Sequence, residues 1–374
     1  MMDFRRRMEK SMLTILVGLW IISSSVAAKK QPYVLAMFVL GDSLADAGNN
    51  NYIPHCEVRA NYTPYGVSFF PSPTGRFTNG RTAFDFIATY LGLPYPPPSL
   101  QPKANFMRGI NFASGGSGLL DSTGARSNII TLSHQVKQFE HFSYMLTRKN
   151  PSGPAQAKSY LGKSLYCITI GGNDIGDYIA NTTLQNTTTP QQFVRMLLAN
   201  FDQYITRLYS SGARKFLVFD IPDLGCAPNT RFAGYNLDKG ACLNLANELA
   251  VAYNTAFKTL VAHLNQKLDG ASIIQLNTYN YFMNIIQNAK AYGFKDTTTA
   301  CCGSGMFNVQ VSCGKTKPLT MFCNNTSEYV YWDGIHPTEK VNAMFSHQIW
   351  TGNSSVIYPF NLSSLVLGKN SSGH

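Results

Sequence analysis

The chain has 374 residues, of which 44% are hydrophobic and 14% are charged, and its formal net charge is +11. This composition excludes a disordered or collagen-like chain, and the length is sufficient for one large domain or two smaller ones. The charged fraction is well below the usual value of about a quarter, so uncharged polar side chains, and groups attached to them, must solvate much of the surface.

The first segment is typical of a secretory signal peptide. Four basic residues among the first ten precede an apolar run at 12–22, and small residues follow at 26–28. Because the run is shorter than the roughly 20 apolar residues of a spanning helix, we expect cleavage after Ala28 and not a membrane anchor. Cleavage would remove four basic and two acidic residues, so the mature chain would keep a net charge of +9.

Four apolar segments of strand length predict a sheet. They are residues 34–40, 165–170, 216–221 and, more weakly, 272–276. Their continuous apolar character is typical of parallel strands that are buried on both faces. Apolar residues with helical spacing lie between these strands, over 193–208 and 243–268. The pattern predicts an α/β protein, a three-layer α/β/α sandwich with a central parallel sheet.

We expect one folded domain over residues 29–362, because neither an internal repeat nor a low-complexity linker interrupts this part of the chain. The signal peptide, residues 1–28, precedes it. Residues 363–374 are predicted to form a flexible C-terminal tail.

The segments that follow the strands carry unusual residues, and in open α/β sheets ligands bind at these strand ends. Gly-Asp-Ser-Leu follows the first strand at 41–44, and Gly-Gly-Asn-Asp follows the second at 171–174. A glycine-rich turn lies between them at 112–118, and Asp-Gly-Ile-His-Pro occurs at 333–337. Each segment alone is more typical of an ordinary turn or cap. Their occurrence together, in this order, indicates a reactive site.

These segments supply the groups that acyl transfer requires. Ser43 is the predicted nucleophile, His336 its base, and Asp333 the acid that orients the imidazole. The backbone N–H groups of Ser43 and Gly115 and the side-chain amide of Asn173 are the predicted donors to the oxyanion. This chemistry requires no cofactor and no metal ion.

The eight cysteines all follow residue 28, and in an oxidising compartment the spaced ones are expected to pair. A zinc site is the alternative for the crowded second group, but this group lacks paired C-x-x-C spacing and a nearby histidine, so disulfides are favoured. Cys167 lies within an apolar strand, which predicts a buried free thiol, and the state of Cys56 stays open. The candidates for disulfides are Cys226 and Cys242 around one loop, and Cys301, Cys302, Cys313 and Cys323 in another.

Export also predicts N-glycosylation, and the chain contains eight acceptor triplets. One triplet arises easily by chance, but eight in a chain with an export signal predict surface glycans at several of them. Asn324 and Asn325 are too close to carry a glycan each. The candidates are Asn61, Asn181, Asn186, Asn324, Asn325, Asn353, Asn361 and Asn370.

Several blocks of the chain resemble those of the plant GDSL esterase/lipase family, within the SGNH hydrolase superfamily. The four main blocks are residues 38–50, 111–116, 171–174 and 333–337, and the plant-type signatures are 64–66, 73–81 and 221–228. The resemblance extends over residues 33–350. It implies a flavodoxin-like fold in which Ser43, Asp333 and His336 form the triad.

The same resemblance implies Gly115 and Asn173 as oxyanion donors, although the motif does not fix the orientation of the peptide, so Gly116 is an alternative to Gly115. It also implies a cysteine pairing. The implied pairs are Cys226 with Cys242, Cys302 with Cys313, and Cys301 with Cys323.

We therefore predict a secreted, extracellular serine hydrolase that cleaves lipid or other acyl esters through an acyl-enzyme, with the cell wall as one place where it could reside. One alternative is an acyltransferase with the same triad, and another is a non-catalytic secreted glycoprotein that binds a ligand or the cell wall. The expected partner is a small-molecule or lipid ester. For an exported chain, the positive charge favours an acidic wall polymer or a membrane surface over nucleic acid.

Overall fold

The computed structural model describes residues 33–149, 153–315 and 321–368. The predicted signal peptide and Asn370 lie outside these residues. The strands of the described residues are β1 (Met37–Gly41), β2 (Gly109–Asn111), β3 (Leu165–Thr169), β4 (Lys215–Phe219), β5 (Ser272–Leu276), β6 (Asp296–Ala300), β7 (Tyr329–Tyr331) and β8 (Ile357–Tyr358).

Twelve α-helices occur among the same residues. They are α1 (Ala83–Leu91), α2 (Leu132–Lys149), α3 (Pro154–Gly162), α4 (Gly172–Ala180), α5 (Thr182–Thr187), α6 (Pro190–Ser210), α7 (Pro228–Ala233), α8 (Tyr235–Asp238), α9 (Asn244–Lys267), α10 (Thr278–Gln287), α11 (Glu339–Thr351) and α12 (Leu362–Leu367). Short 3-10 turns occupy Asn49–Tyr52, Ala125–Ser127, Leu224–Cys226, Ala289–Tyr292, Met306–Asn308 and Thr326–Glu328.

The main sheet has the strand order β2-β1-β3-β4-β5-β8. Its first five strands are parallel, and β8 pairs antiparallel with β5 at one edge. Alternate residues of β1 enter two different cores. Phe38 packs in the core with α2, α6 and α9, and Met37 in the core with α1, α10 and α11. The predicted α/β fold with a central, mostly parallel sheet is therefore confirmed.

The four predicted strands are β1, β3, β4 and β5, with ends that differ by three residues or fewer from the prediction. The sequence patterns missed β2, β8 and the second sheet, in which β6 pairs parallel with β7. These strands are short, and β6 has the polar sequence Asp-Thr-Thr-Thr-Ala. Their pairing depends on tertiary contacts, because no local hydrophobic pattern distinguishes them from loops.

The predicted flexible tail is wrong for its first residues, because α12 continues to Leu367. Leu362 and Leu365 are buried in the core beside α11, and the Asn361 side chain caps the helix by accepting the Ser364 N–H at 3.0 Å. Two leucines spaced by three residues after an asparagine form a short amphipathic helix, which is too short to give a distinct helical pattern in the sequence. Residues 369–374 lie outside the described part of the chain.

Three disulfides occur in the structure, and they are the pairs that the family resemblance implies. Cys226 is bonded to Cys242, Cys301 to Cys323 and Cys302 to Cys313. The last two lie beside a third core cluster that contains Tyr65, Phe77 and Trp332. Cys56 and Cys167 are buried thiols without a disulfide partner.

The asparagines of the glycosylation triplets are mostly accessible. Asn61, Asn181, Asn186, Asn324, Asn325 and Asn353 are exposed. Asn361 is half-buried, and its amide nitrogen donates to the Gly352 carbonyl oxygen at 3.0 Å. None of the helices within residues 33–149, 153–315 and 321–368 has the length and apolar character needed to cross a bilayer.

Candidate active site

Gly41 lets β1 approach β3 closely just before Ser43. Its φ of +146° favours glycine, and a Cβ there would lie 2.2 Å from the Thr169 carbonyl oxygen. The Gln135 amide holds Gly41, since Oε1 accepts the glycine N–H at 2.8 Å and Nε2 donates to its carbonyl oxygen at 2.9 Å. Ser43 therefore leaves the sheet from a fixed backbone position.

Asp333 closes a tight turn that brings His336 back onto the carboxylate. Asp333 Oδ1 accepts the backbone N–H groups of Ile335 at 2.9 Å and of His336 at 2.8 Å. The imidazole Nδ1 then lies 2.9 Å from Oδ1 and 2.8 Å from Oδ2 of Asp333. On the other side of the ring, Nε2 lies 2.7 Å from Ser43 Oγ. With Nδ1–H donating to the carboxylate, Nε2 can accept the serine proton.

The electrostatics of Asp333 favour its ionised form. Burial alone would raise the pKa of this carboxyl, but the adjacent His336 and the two backbone N–H donors outweigh burial and lower it below its usual value. The Tyr65 hydroxyl also donates to Asp333 Oδ2 at 2.8 Å. Asp333 is thus a buried carboxylate that orients the imidazole and can stabilise a positive charge on it.

The loop that carries His336 has further supports. Trp332 N donates to the His336 carbonyl oxygen at 2.7 Å, and Thr78 Oγ1 donates to the Pro337 carbonyl oxygen at 2.9 Å. The Phe77 ring packs on the imidazole with a centroid distance of 5.1 Å. These contacts fix the ring from the backbone side and from one face.

The structure differs from the prediction for Gly115. Its N–H already donates to Asp46 Oδ2 at 3.0 Å, so this group is not free to bind an oxyanion. No hydrogen bond among the described residues engages the N–H of Gly116 or of Ser43. The motif could not show this difference, because the partner of Gly115 comes from a separate segment. Gly116, the alternative from the sequence, becomes the candidate.

Asn173 lies at the start of α4, directly after β3. Its Nδ2 donates to the Ser117 carbonyl oxygen at 2.8 Å. A side-chain amide has two N–H bonds, so this contact fixes the amide and leaves the second N–H available. Asn173 and Ser43 line the same groove.

Two buried carboxylates hold the loops around the site. Asp46 accepts the N–H groups of Gly48 and Asn49, each at 2.7 Å, in addition to that of Gly115. Asp174 accepts two backbone N–H groups and one hydroxyl from residues 119–123. Burial raises the pKa of each to about 6, although these hydrogen bonds oppose the shift. Both acids thus act on loop geometry and lie outside the Ser43–His336–Asp333 hydrogen-bond chain.

Sequence reasoning missed three residues that support the site: Gln135, Asp46 and Tyr65. Tyr65 and Asp46 lie within blocks that resemble the family, which was the available signal, but nothing in those blocks shows what the side chains contact. Gln135 lies in α2 without any sequence signal.

Two cavities flank the Ser43–His336 pair. A groove of about 540 Å³, partly open to solvent, is lined by Ser43 and Asn173 and by many apolar side chains. A smaller pocket of about 200 Å³ is lined by His336 and Asp333 together with polar and aromatic residues. Within the described parts of the chain, no cluster of three or more His, Cys, Asp or Glu side chains is arranged to hold a metal ion.

Ser43, His336 and Asp333 form a hydrogen-bond chain with the geometry of a Ser-His-Asp triad, at the edge of a sheet that is flanked by helices. A model of the family described as GDSL-like Lipase/Acylhydrolase matches residues 37–349. The chain belongs to this family of GDSL esterases and lipases, which are carboxylic ester hydrolases.

Plant proteins resemble the chain over nearly its whole length. It is 36% identical to GDSL esterase/lipase 7 of Arabidopsis thaliana over 366 residues, which cover 96% of this chain and 99% of that protein. It is 36% identical to GDSL esterase/lipase 6 of the same plant, covering 96% of this chain and 98% of that protein. It is 34% identical to a GDSL lipase of Tanacetum cinerariifolium, covering 95% of this chain and 94% of that protein.

Proposed function

We propose that this protein is a secreted serine esterase in which Ser43 forms an acyl-enzyme with carboxylic esters. The observation that carries the proposal is the continuous hydrogen-bond chain from Ser43 Oγ to His336 Nε2, and from His336 Nδ1 to Asp333. This is the arrangement that activates a serine hydroxyl for attack on a carbonyl carbon.

In the first half of the reaction, Ser43 Oγ attacks the ester carbonyl while His336 Nε2 takes the hydroxyl proton. Asp333 stabilises the resulting imidazolium. The tetrahedral intermediate collapses as the bond to the alcohol oxygen breaks, and His336 returns the proton to that oxygen. In the second half, His336 takes a proton from water, the hydroxide attacks the acyl carbon, and Ser43 leaves with the proton as the carboxylic acid is released.

Three donors are proposed for the oxyanion: the backbone N–H groups of Ser43 and Gly116, and the second N–H of the Asn173 amide. Ser43 and Asn173 follow β1 and β3, which are hydrogen-bonded neighbours in the sheet. Gly41 pairs with Thr169 in the register of these strands, so the segments that follow them leave the sheet side by side. Donors that are fixed before the substrate binds do not need to reorganise during the reaction.

The proposal is tested by hydrolysis of p-nitrophenyl acetate with the Ser43→Ala variant. We expect kcat to fall by about 10⁶-fold, because the remaining groups cannot supply a nucleophile. Ser159→Ala, in the exposed helix α3, is the matched control and should keep the wild-type kcat. Hydrolysis by Ser43→Ala at the wild-type rate would remove Ser43 from the proposed role.

Secretion is proposed from residues 1–28 and from the disulfides, which form in oxidising compartments. Expression of the full chain in a plant secretory host should place the protein in the medium with Lys29 as its first residue. N-terminal sequencing and removal of N-glycans by an amidase test this. A cell-retained, unglycosylated protein that still begins with Met1 would contradict the proposal. A mature charge of +9 further favours retention by an acidic wall polymer or an anionic membrane surface.

A further inference from the structure

We propose that the substrate is an ester of an extended apolar acyl chain with a polyhydroxylated alcohol, such as a sugar. The acyl chain lies in the groove beside Ser43, and the alcohol lies in the pocket beside His336. This assignment rests on the proposed function, since it names the two halves of the ester that Ser43 attacks. It is carried by the contrast between the two cavities that meet at the triad.

The groove suits an apolar chain. Beyond Ser43 and Asn173 its wall is formed by residues of α4, the 221–224 segment, α7, α8 and the start of α9, including Ile179, Ile221, Leu224, Leu237, Leu243 and Ala246. Its volume of about 540 Å³ lies within the roughly 300–1,000 Å³ of sites for drug-sized ligands. No lysine or arginine is among the residues that line it, so an anionic head group would find no counter-charge there.

The acidic side chains of the groove do not change this conclusion. Three of them line it: Asp177, which is exposed, and Asp42 and Asp220, which are buried. Burial raises the pKa of Asp42 and of Asp220 to about 7. Asp220 is also occupied with the Thr278 N–H at 2.6 Å. An apolar cavity of only about 50 Å³ adjoins the groove and shares Leu44, Leu224 and Ile335 with it. The space available to an acyl chain is therefore that of the groove itself.

The pocket beside His336 has a different chemistry. It combines the aromatic side chains of Tyr62, Tyr65 and Phe77 with the charged side chains of Glu57 and Arg59. Asn229, Asn308 and Ser312 add further polar groups to its wall. Aromatic faces next to donors and acceptors of hydrogen bonds match a sugar ring, which has apolar C–H faces and hydroxyl groups on its edge.

The direction of the reaction decides which half of the ester enters which cavity. The alcohol oxygen must lie next to His336 Nε2, because that nitrogen supplies the proton as the alcohol leaves. His336 lines the polar pocket, whereas Ser43, which keeps the acyl group, lines the apolar groove. Asn229 and Ile335 line both cavities and so form the partition between them. The alcohol therefore departs into the pocket while the acyl chain remains in the groove.

Four esters that differ in one half at a time test the assignment: methyl acetate, methyl octanoate, 6-O-acetylglucose and 6-O-octanoylglucose. We expect kcat/KM to be highest for 6-O-octanoylglucose. The octanoyl-to-acetyl ratio and the glucose-to-methyl ratio of kcat/KM should each exceed roughly ten. Each ratio reports on one cavity, because the other half of the ester is the same in both members of the pair.

Gly176→Leu should narrow the groove. Gly176 lies within α4, lines the groove, and a Cβ there would meet no heavy atom within 4 Å. The octanoyl-to-acetyl ratio should fall roughly ten-fold or more, while the glucose-to-methyl ratio stays within two-fold of the wild type (about 0.4 kcal/mol). Gly162→Leu makes the same change at the end of α3, away from the site, and should alter neither ratio. Ala233→Phe narrows the groove from α7 and should reproduce the Gly176→Leu result.

Tyr62→Ala should widen the pocket and remove an aromatic face. The expected result is the converse of that for the groove: the glucose-to-methyl ratio falls roughly ten-fold, as for one lost specific contact, and the octanoyl-to-acetyl ratio is retained. Tyr144→Ala removes an exposed tyrosine from α2 and is the matched control. Glu57→Gln keeps the shape of the pocket and should lower the same glucose-to-methyl ratio by a smaller factor.

The outcomes separate this inference from the proposed function. Hydrolysis of all four esters with ratios near one overturns the assignment of the cavities and leaves the esterase function intact. The assignment is also overturned if Gly176→Leu and Ala233→Phe lower the glucose-to-methyl ratio while Tyr62→Ala lowers the octanoyl-to-acetyl ratio. Failure of the wild type to hydrolyse any ester, together with failure of Ser43 to react with a phosphonate, overturns both.

Discussion

Ser43 and Asn173 follow neighbouring strands of the main sheet, whereas Asp333 and His336 lie on a loop that follows β7 of the two-stranded sheet. The first pair is fixed by the paired backbone of β1 and β3. The second pair depends on side chains from distant segments, on backbone contacts to residues 301–302, and on two disulfides beside it.

The proposed active site thus combines one part that the sheet positions with one part that contacts from other segments hold in place. A paired strand end needs few additional contacts to place its successor, here those of Gln135 with Gly41 and of Asn173 with Ser117, since its backbone groups are satisfied by neighbours. A loop has few such contacts and keeps its geometry only where other groups supply them. We therefore expect substitutions at distant supports to disturb Asp333 and His336 more than Ser43 and Asn173.

The largest effect among these supports is expected for Asp333→Asn. Loss of the carboxylate removes the group that selects the imidazole tautomer and stabilises its positive charge, so kcat should fall by about 10⁴-fold. Asp296→Asn is the matched control, because Asp296 Oδ1 also accepts two nearby backbone N–H groups, those of Thr298 and Thr299, each at 2.8 Å, without a hydrogen bond to a histidine. Steady-state hydrolysis of p-nitrophenyl acetate measures both. Equal losses in the two variants would mean that Asp333 acts on the turn alone.

On the sheet side, Asn173→Ala should lower kcat by roughly 10²–10³-fold through loss of one oxyanion donor. KM should change much less, because the charge on the oxygen develops only in the transition state. Asn200→Ala removes an amide that contacts only its own helix, at the Met196 carbonyl oxygen, and should be neutral. An unchanged kcat for Asn173→Ala would remove this side chain from the oxyanion site.

Removal of the Cys301–Cys323 disulfide by a double substitution to serine should loosen the loop side alone. A disulfide that closes a loop of 22 residues contributes about 3 kcal/mol to the free energy of unfolding. Cys301 N donates to the Tyr331 carbonyl oxygen at 3.0 Å, just before Asp333, so amides of residues 329–338 should lose protection in hydrogen exchange. Amides of β1 and β3 should keep theirs.

The matched control is the double serine substitution at Cys226 and Cys242. It removes a disulfide that closes a loop of 16 residues elsewhere in the chain. It should reduce the free energy of unfolding by a similar amount and leave exchange in residues 329–338 unchanged. Similar exchange in both double variants would show that the two parts of the site are not held separately.

The smallest effect is expected for Tyr65→Phe, which deletes one hydrogen bond to Asp333 and keeps the ring packed against Phe77 and Trp332. A bond to a charged group contributes roughly 1.5–3 kcal/mol, and the turn retains its other contacts, so kcat should fall about ten-fold, near the lower end of that range. The loss of kcat should be larger at low pH, because Asp333 has one hydrogen-bond donor fewer in the variant and its pKa is therefore higher. Tyr178→Phe removes a buried hydroxyl that donates to the Thr188 carbonyl oxygen at 2.8 Å and should not change kcat or its pH profile.

The same contrast explains which features could be predicted from the sequence. Ser43 and Asn173 follow continuously apolar strands, so local sequence patterns predict their positions. The Asp-x-x-His spacing of Asp333 and His336 fits a single turn. The Asp46 contact that occupies Gly115 and the Gln135 contact that holds Gly41 are long-range, and no local pattern encodes them. The short strands β2 and β8 and the helix α12 were missed for a similar reason, since tertiary packing stabilises them.

The most direct test of the central claim is the site of covalent labelling by an esterase-directed fluorophosphonate, mapped by mass spectrometry of the digested protein. We predict a single modification on Ser43, no labelling of Ser43→Ala, and slow labelling of Asp333→Asn and of the variant without the Cys301–Cys323 disulfide. Full-rate labelling of Ser43→Ala, or modification of a different serine in the wild type, would contradict the assignment of Ser43 as the nucleophile.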